Sequence, residues 1–245
     1  MADVLRQLAE LVYTLPRELL EITDSIYLYG SMARGDISQD SDCDLLIAIS
    51  DCSEETFSSI KDATKMWHPE LNCEIAIYQM SALKAMQAKG SLFLWHIRTE
   101  AQVVYSRGNQ LAKLLSELVE YTSAKESIAE YCEIMHDIMD DDTDDIDVIQ
   151  YNLSVMATLI RNTCIVCCYL IGNKQFGRTS PIRVCTTYFK NRFPIALEDY
   201  EQLYLYRVSI NRGGNMPYQS NLACYYDDWK VKTNTLLELA LTLME

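Results

Sequence analysis

Two aspartates separated by one residue are the side chains in this sequence best placed to bind a cation. Asp42 and Asp44 open the apolar run DCDLLIAI, which is typical of a buried strand. Side chains at positions i and i+2 of a strand point to the same face, so the two carboxylates lie side by side. Adjacent carboxylates repel one another unless a cation lies between them, and their hard oxygens suit Mg²⁺. The pair therefore predicts a magnesium site.

A tight turn comes shortly before this pair. Residues 25–29, SIYLY, form a β-branched and aromatic run that ends at Gly30, which predicts a strand leading into a turn. A glycine lets the backbone approach a phosphate closely, and unpaired N–H groups at a helix start attract an anion. The hydroxyl of Ser31 adds a further donor. A phosphate-binding turn next to two carboxylates indicates a nucleotide site.

Together these pieces match a known signature. The segment GSMARGDISQDSDCDL resembles the Gly-Ser/Asp-x-Asp signature of the DNA polymerase beta nucleotidyltransferase superfamily, and the resemblance is specific over residues 25–78. It implies a Mg²⁺-dependent enzyme that moves AMP from an NTP, with ATP as co-substrate, to a hydroxyl and releases pyrophosphate. The alternative is a surface turn followed by a strand with solvent-facing aspartates. The presence of the whole constellation argues against it.

This family places a third carboxylate on a later strand. Glu74 fits that place, because it lies in the apolar run LNCEIAIY at 71–78. Many relatives carry Asp here, so it stays open whether Glu74 is a general base, a metal ligand or a glutamate at a strand edge. By resemblance, the catalytic and metal-binding residues, which hold two Mg²⁺ ions, are Asp42, Asp44 and Glu74. The contacts to the nucleotide are Gly30, Ser31, Arg34 and Ser41.

The hydrophobic periodicity predicts the elements that position these residues. Strands are expected at 25–30, 43–49, 71–79 and 102–105, with helices at 2–22 (one, or two broken at Pro16), 53–66, 81–88 and 91–99. Beyond Gly108 only helical patterns remain, at 109–139, 147–171, 180–193, 198–211 and 219–243. We therefore predict an α+β protein. A small mixed-sheet nucleotidyltransferase domain over 1–108 is followed by an all-α helical bundle over 109–245.

The charge of the chain indicates which class of acceptor molecule it modifies. The formal net charge of −14 argues against broad DNA binding and favours a cationic small molecule such as an aminoglycoside-like antibiotic. Residues 151–215 carry eight Lys or Arg against three Asp or Glu, which favours the alternative, a tRNA or protein acceptor in a toxin–antitoxin or defence system. A catalytically silent binding module is the third hypothesis. We rank it last because all three carboxylates are present.

Composition predicts a cytoplasmic protein without a membrane partner. No apolar run approaches the roughly 18 residues of a membrane span. The nine cysteines suit a reducing compartment, and Cys164, Cys167 and Cys168 are expected to be core thiols rather than zinc ligands. The oligomeric state is left open, including a homodimer in which a second subunit completes the cleft.

Two other patterns are expected to be structural. His96 and Glu100 have i, i+4 spacing, but we interpret them as core or boundary residues and leave them outside the predicted site. The acidic run at 140–147 lacks the glycine and the terminal glutamate of a calcium loop. It predicts a solvated loop that places negative charge at the start of the next helix.

Overall fold

The structure, a computed structural model, describes residues 2–36, 42–65, 73–141 and 143–244. It divides into two compact units, Met1–Thr122 and Ser123–Glu245. The elements of the first unit are α1 (Ala2–Val12), α2 (Arg17–Ile22), β1 (Thr23–Tyr29), α3 (Gly30–Arg34), β2 (Cys43–Ile49), α4 (Glu54–Lys65), β3 (Cys73–Gln79), α5 (Met80–Ala88), α6 (Leu92–Glu100), β4 (Gln102–Ser106) and α7 (Gln110–Ser116).

The strands of the first unit form one mixed sheet in the order β3-β2-β1-β4. Strand β1 runs antiparallel to β2 and β4, while β2 and β3 are parallel. Alternation along the strands sends Ile26, Leu45 and Ile47 to one face, where they form a buried core with Leu8 and Leu19 of the N-terminal helices. The polar residues at the start of β2 and β3 therefore have the opposite face available to them.

The first unit extends beyond residue 108, the end predicted for the first domain. Helix α7 packs against β1, α5 and α6, so it belongs to this unit. Its start is anchored by Asp24, a buried residue of β1 whose carboxylate accepts hydrogen bonds of 3.2 Å from the backbone N–H groups of Gln110 and Leu111. The division between the units consequently falls after Thr122.

The second unit is helical. Its elements are α8 (Ala124–Asp140), α9 (Ile146–Leu170), α10 (Ser180–Phe189), a short 3₁₀ helix (Lys190–Arg192), α11 (Leu197–Arg212) and α12 (Leu222–Leu241). Helix α9 is central, because it packs against α8, α10, α11 and α12. Asp145 begins this helix and accepts a hydrogen bond of 2.9 Å from the N–H of Asp147, so the acidic loop does place charge at a helix start. The fold class predicted from the sequence is confirmed.

One predicted helix is divided in the structure. The helical pattern at 109–139 becomes α7 and α8, with Glu117–Ser123 outside either helix. The backbone carbonyl of Val119 accepts a hydrogen bond of 3.2 Å from the indole N–H of Trp95. Gly90 also approaches the carbonyl of Glu120 so closely that a β-carbon there would lie 2.2 Å from the oxygen. These tertiary contacts tie the connecting segment to α6 and to the end of α5.

Helix α9 corrects the expectation that no apolar run approaches the length of a membrane span. Among the described residues, it is the one helix long and apolar enough, by length and composition, to cross a membrane, although no run of that kind was expected. Of its most apolar 18-residue window, 72% is buried, as in the core helix of a bundle. Cys164, Cys167 and Cys168 are free thiols within this buried stretch, which agrees with the prediction that they are core residues.

Candidate active site

The three predicted carboxylates come together at one end of the sheet. Asp44 on β2 and Glu74 on β3 are direct partners in the parallel pairing, so their side chains share a face, and Asp42 lies two residues before Asp44. Each residue offers a carboxylate oxygen, and these oxygens all lie within 4.8 Å of one another. Asp42 and Asp44 are half-buried and Glu74 is exposed. Three hard oxygen donors in this arrangement fit a divalent cation such as Mg²⁺.

Gly30 packs directly against this group. It has a φ of +72°, which favours glycine, and a β-carbon at this position would lie 2.0 Å from Oδ2 of Asp44. Tyr29 and Asp44 are partners in the antiparallel pairing of β1 and β2, and this register brings the turn and the carboxylate together. The turn therefore needs glycine both for its conformation and to leave room for Asp44.

The other predicted nucleotide contacts are distributed around this turn. Half-buried Ser31 follows Gly30 in the short helix α3, and its carbonyl accepts hydrogen bonds from the N–H groups of Gly35 and Asp36 at 2.9 and 3.1 Å. Arg34 is the last residue of that helix. Ser41 lies outside the described residues. Among the predicted site residues that the structure describes, Gly30, Asp42, Asp44 and Glu74 form the compact group.

A partly buried ion-pair cluster lies next to the turn. The Nη1 atom of Arg34 donates to Oε2 of Glu100 at 2.6 Å, and its Nε donates to the carboxylate of Asp36 at 3.2 Å. The Nε2 atom of His96 lies 3.1 Å from the same Glu100 oxygen. The Glu100 side chain is only 9% exposed. Glu100 therefore links α6 to the helix that carries the Gly-Ser turn.

The environment of this cluster favours its charged form. Burial by itself raises the pKa of Glu100, but hydrogen bonds and charges from His96 and Arg34 outweigh burial, and the pKa lies below its usual value of 4.5. Burial works against the charge of Arg34 too, yet Glu100 and Asp36 raise the pKa of Arg34 above its usual value. The Arg34–Glu100 pair consequently stays ionised at neutral pH.

Tyr29 connects the cluster to the carboxylates. Its ring makes edge-on contacts with the ring of His96, at 5.5 Å between centroids, and with Phe93, at 5.8 Å. Burial, followed by the negative charges of Asp44 and Glu74, raises the pKa of Tyr29 above its usual value of 10.0. The phenol therefore stays neutral beside the carboxylate group.

His96 and Glu100 are the residues near the site that sequence reasoning missed. Their i, i+4 spacing was visible, but such pairs are common on helices. The partner that makes the pair notable is Arg34, which lies 66 residues earlier in the chain. The local sequence around Arg34 gave no signal for this contact, because Asp36, two residues further on, already offers Arg34 an acidic partner.

Comparison with known families agrees with this geometry. Residues 19–110 match the family model described as polymerase beta, nucleotidyltransferase. The match covers the sheet, the Gly-Ser turn and all three carboxylates. These residues form a nucleotidyltransferase domain of the polymerase beta type, and the resemblance predicted from the sequence is confirmed. The protein is thus a nucleotidyltransferase. No curated protein matches the chain.

Solved structures show more distant likenesses. One is the spectinomycin adenyltransferase AAD(9) from Enterococcus faecialis with ATP and spectinomycin, at 13% identity and a TM-score of 0.49, covering 94% of this chain and 99% of that chain. Another is a toxin-antitoxin with AMP-PNP, at 15% identity and a TM-score of 0.34, covering 54% of this chain and 98% of that chain. Both scores lie below 0.5, so neither likeness bears on the substrate.

Proposed function

We propose that this protein moves AMP from ATP to a hydroxyl of a small molecule such as an aminoglycoside-like antibiotic, in a Mg²⁺-dependent reaction that releases pyrophosphate. The observation that carries the proposal is the convergence of Asp42, Asp44 and Glu74, whose oxygens lie within 4.8 Å of one another beside Gly30. Attack of the acceptor oxygen on the α-phosphorus forms one P–O bond and breaks the bond to pyrophosphate. The hydroxyl proton leaves with a base.

The carboxylates supply the donor set for two Mg²⁺ ions. Asp42 and Asp44 each have two oxygens, so each can contribute to both ions, and Glu74 adds an oxygen from the neighbouring strand. When bound, Mg²⁺ lowers the pKa of the acceptor hydroxyl and neutralises charge on the phosphates. Because Asp44 and Glu74 are held on strands and Asp42 directly precedes β2, little reorganisation is needed when the nucleotide binds.

The remaining residues orient the reactants. Gly30 and Ser31 offer backbone N–H groups and one hydroxyl to the β- and γ-phosphates, and Arg34 offers a guanidinium at the end of the same short helix. The exposed carboxylate of Glu74 is open to solvent and can accept the acceptor's proton as a general base. Binding and orientation of this kind account for most of the catalysis in phosphoryl transfer.

The acceptor class follows from charge. With a formal net charge of −14, the protein attracts cations at long range and repels polyanions. A polycationic, hydroxyl-rich small molecule meets both requirements, because its amines interact with the acidic surface while a hydroxyl takes the nucleotide.

A second candidate acceptor is tRNA or a protein partner. Residues 148–197 contain six Lys or Arg and no Asp or Glu, although the whole chain is acidic. In this stretch, a surface groove of about 600 Å³ is lined by Arg183 and Lys190 together with Tyr188, which is 50% exposed. Cationic groups beside an exposed aromatic ring are what single-stranded nucleic acid needs for binding.

Label transfer separates these candidates. Each NTP, labelled with ³²P at the α-phosphate, is incubated with Mg²⁺ and the protein, together with an aminoglycoside pool, total tRNA or a cell lysate. The negative control is the Asp42→Asn/Asp44→Asn variant. The matched control is Asp51→Asn, which changes an aspartate beyond the other end of β2 that accepts a hydrogen bond from the N–H of Ser81. Label in the aminoglycoside pool supports the proposal, label in tRNA or a lysate protein supports the second candidate, and no label in any pool contradicts both.

A further inference from the structure

We propose that Glu100 is a positioning residue that aims Arg34 at the triphosphate of the bound nucleotide. This inference rests on the function proposed above and adds a residue that neither the sequence motif nor the carboxylate group contains. It starts from the hydrogen bonds of Arg34. The guanidinium has five N–H donors. Its Nε donates to Asp36 and its Nη1 donates to Glu100.

The remaining nitrogen of the Arg34 guanidinium is Nη2. Within the part of the chain that the structure describes, no residue accepts a hydrogen bond from Nη2. Helix α3 is five residues long, from Gly30 to Arg34. At 1.5 Å per residue, the α-carbons of its two ends are only about 6 Å apart, which is within the length of an arginine side chain. The side chain of Arg34 is therefore long enough to reach the turn that packs against Asp44.

The position and contacts of Glu100 allow it to hold the guanidinium of Arg34 in place. It is the last residue of α6, its side chain is 9% exposed, and one oxygen contacts both Arg34 and His96. His96 in turn packs edge-on against Tyr29, the residue before Gly30. Glu100 and His96 therefore contact both sides of the Gly-Ser turn, Tyr29 before it and Arg34 after it. Glu100 therefore links Arg34 to α6 and, through His96, to Tyr29.

The two acidic partners of Arg34 differ in their exposure to solvent. The side chain of Asp36 is 55% exposed, so its ion pair is weakened by water and salt. The side chain of Glu100 is only 9% exposed, and its contact with Arg34 at 2.6 Å is short and charge-assisted. Glu100 consequently sets the orientation of the guanidinium, while Asp36 can give way to a phosphate without a large loss.

The test compares ligands that differ in their phosphates. Binding of the Mg²⁺ complex of α,β-methylene ATP and of AMP is measured by calorimetry for the wild type, Glu100→Gln, Arg34→Gln and the double variant. Glu100→Gln keeps the shape of the side chain and removes its charge. We expect Glu100→Gln to weaken binding of the triphosphate about tenfold, because Arg34 is no longer aimed at the phosphates and its hydrogen bond to that charged group is lost. Binding of AMP should change less than about twofold. In the Arg34→Gln background, Glu100→Gln should have no further effect.

The Asp24→Asn variant is the control for a general loss of stability. Asp24 is a buried carboxylate of the same unit that anchors the start of α7 at the other end of β1, so this variant loses stability without touching the turn. Equal weakening of AMP and the triphosphate, additive effects in the double variant, or unchanged triphosphate binding would each overturn the inference. If the wild type transfers a nucleotide and Glu100→Gln binds it normally, only this inference fails. A wild type that neither binds nor transfers a nucleotide overturns the proposed function together with it.

Discussion

The carboxylate of Asp44 occupies the space that a β-carbon on residue 30 would need, since the two atoms would lie 2.0 Å apart. Real β-carbons do not approach an oxygen this closely, so either the carboxylate or the turn would have to move. Gly30 also has a φ of +72°, where other residues are strained. The turn and the carboxylate are therefore fitted to each other, and a side chain at residue 30 displaces a predicted metal ligand.

Replacement of Gly30 by alanine tests this fit. We expect Gly30→Ala to lower kcat/KM for nucleotide transfer by at least about 100-fold, the loss typical when a catalytic electrostatic group is removed. The matched control is Gly172→Ala, because Gly172 has a φ of +76° and no atom within 4 Å of an added β-carbon. The control should lose only about 1–2 kcal/mol of stability from the backbone conformation and keep its activity. Equal kinetics for the two variants would contradict the fit.

Metal binding should be visible as a change in stability. Three carboxylate oxygens within 4.8 Å repel one another, so Mg²⁺ should raise Tm for the wild type, and chelation should lower it. At 100 times the Kd, a single bound ion stabilises by about 2.7 kcal/mol. Asp44→Asn removes part of the repulsion and one ligand. Its Tm without metal should equal or exceed that of the wild type, and it should respond little to Mg²⁺. An undiminished Mg²⁺ response in Asp44→Asn would argue against the site.

The lowered pKa of Glu100 predicts how stability depends on pH. A carboxyl group whose pKa is lower in the folded state stabilises the fold above its usual value of 4.5, and this contribution is lost as the pH falls through the folded value. Glu100→Gln lacks this contribution. The difference in free energy of unfolding between the wild type and Glu100→Gln should shrink as the pH falls below about 4.5. Denaturant unfolding at several pH values measures it, and a difference that stays constant to pH 3 would show that the carboxylate is not stabilised as described.

The start of α9 provides a prediction for the helical unit. Asp145→Ala removes the side chain that accepts the hydrogen bond from the N–H of Asp147, and loss of such a cap costs about 1 kcal/mol. The neighbouring exposed residue gives a matched control, Asp144→Ala, which should change stability by less than about 0.5 kcal/mol. Thermal unfolding of both variants is the measurement. A cost of the same size for both would assign the effect to the charge of the loop rather than to the cap.

The carboxylate group could be predicted because its geometry is local. The i, i+2 spacing predicts that Asp42 and Asp44 share a face, and in the structure Asp42 lies directly before β2, which carries Asp44. Glu74 could be added because the family resemblance implies a third carboxylate on a later strand, and the structure pairs it directly with Asp44. The roles of these residues as ligands or base stay predictions until they are measured.

Contacts between distant segments could not be predicted in the same way. The Arg34–Glu100 pair joins residues 66 positions apart, and nothing in either local sequence indicates the other. The break between α7 and α8 has no glycine or proline within 117–123; it coincides with a hydrogen bond from Trp95 to Val119. The apolar length of helix α9 could not be seen from its runs of apolar residues. Polar residues such as Asn152 and Thr163 interrupt these runs without making the helix polar on average.

In nucleotide transfer the α-phosphate of ATP, and not the γ-phosphate, moves to the acceptor. Parallel reactions with ATP labelled at either position, in the presence of an aminoglycoside pool and Mg²⁺, test it directly. We expect that α-label moves to the acceptor and γ-label appears in pyrophosphate, and that both changes disappear in the Asp42→Asn/Asp44→Asn variant. Transfer of γ-label to the acceptor, or transfer of α-label by that variant, would exclude nucleotide transfer at these carboxylates.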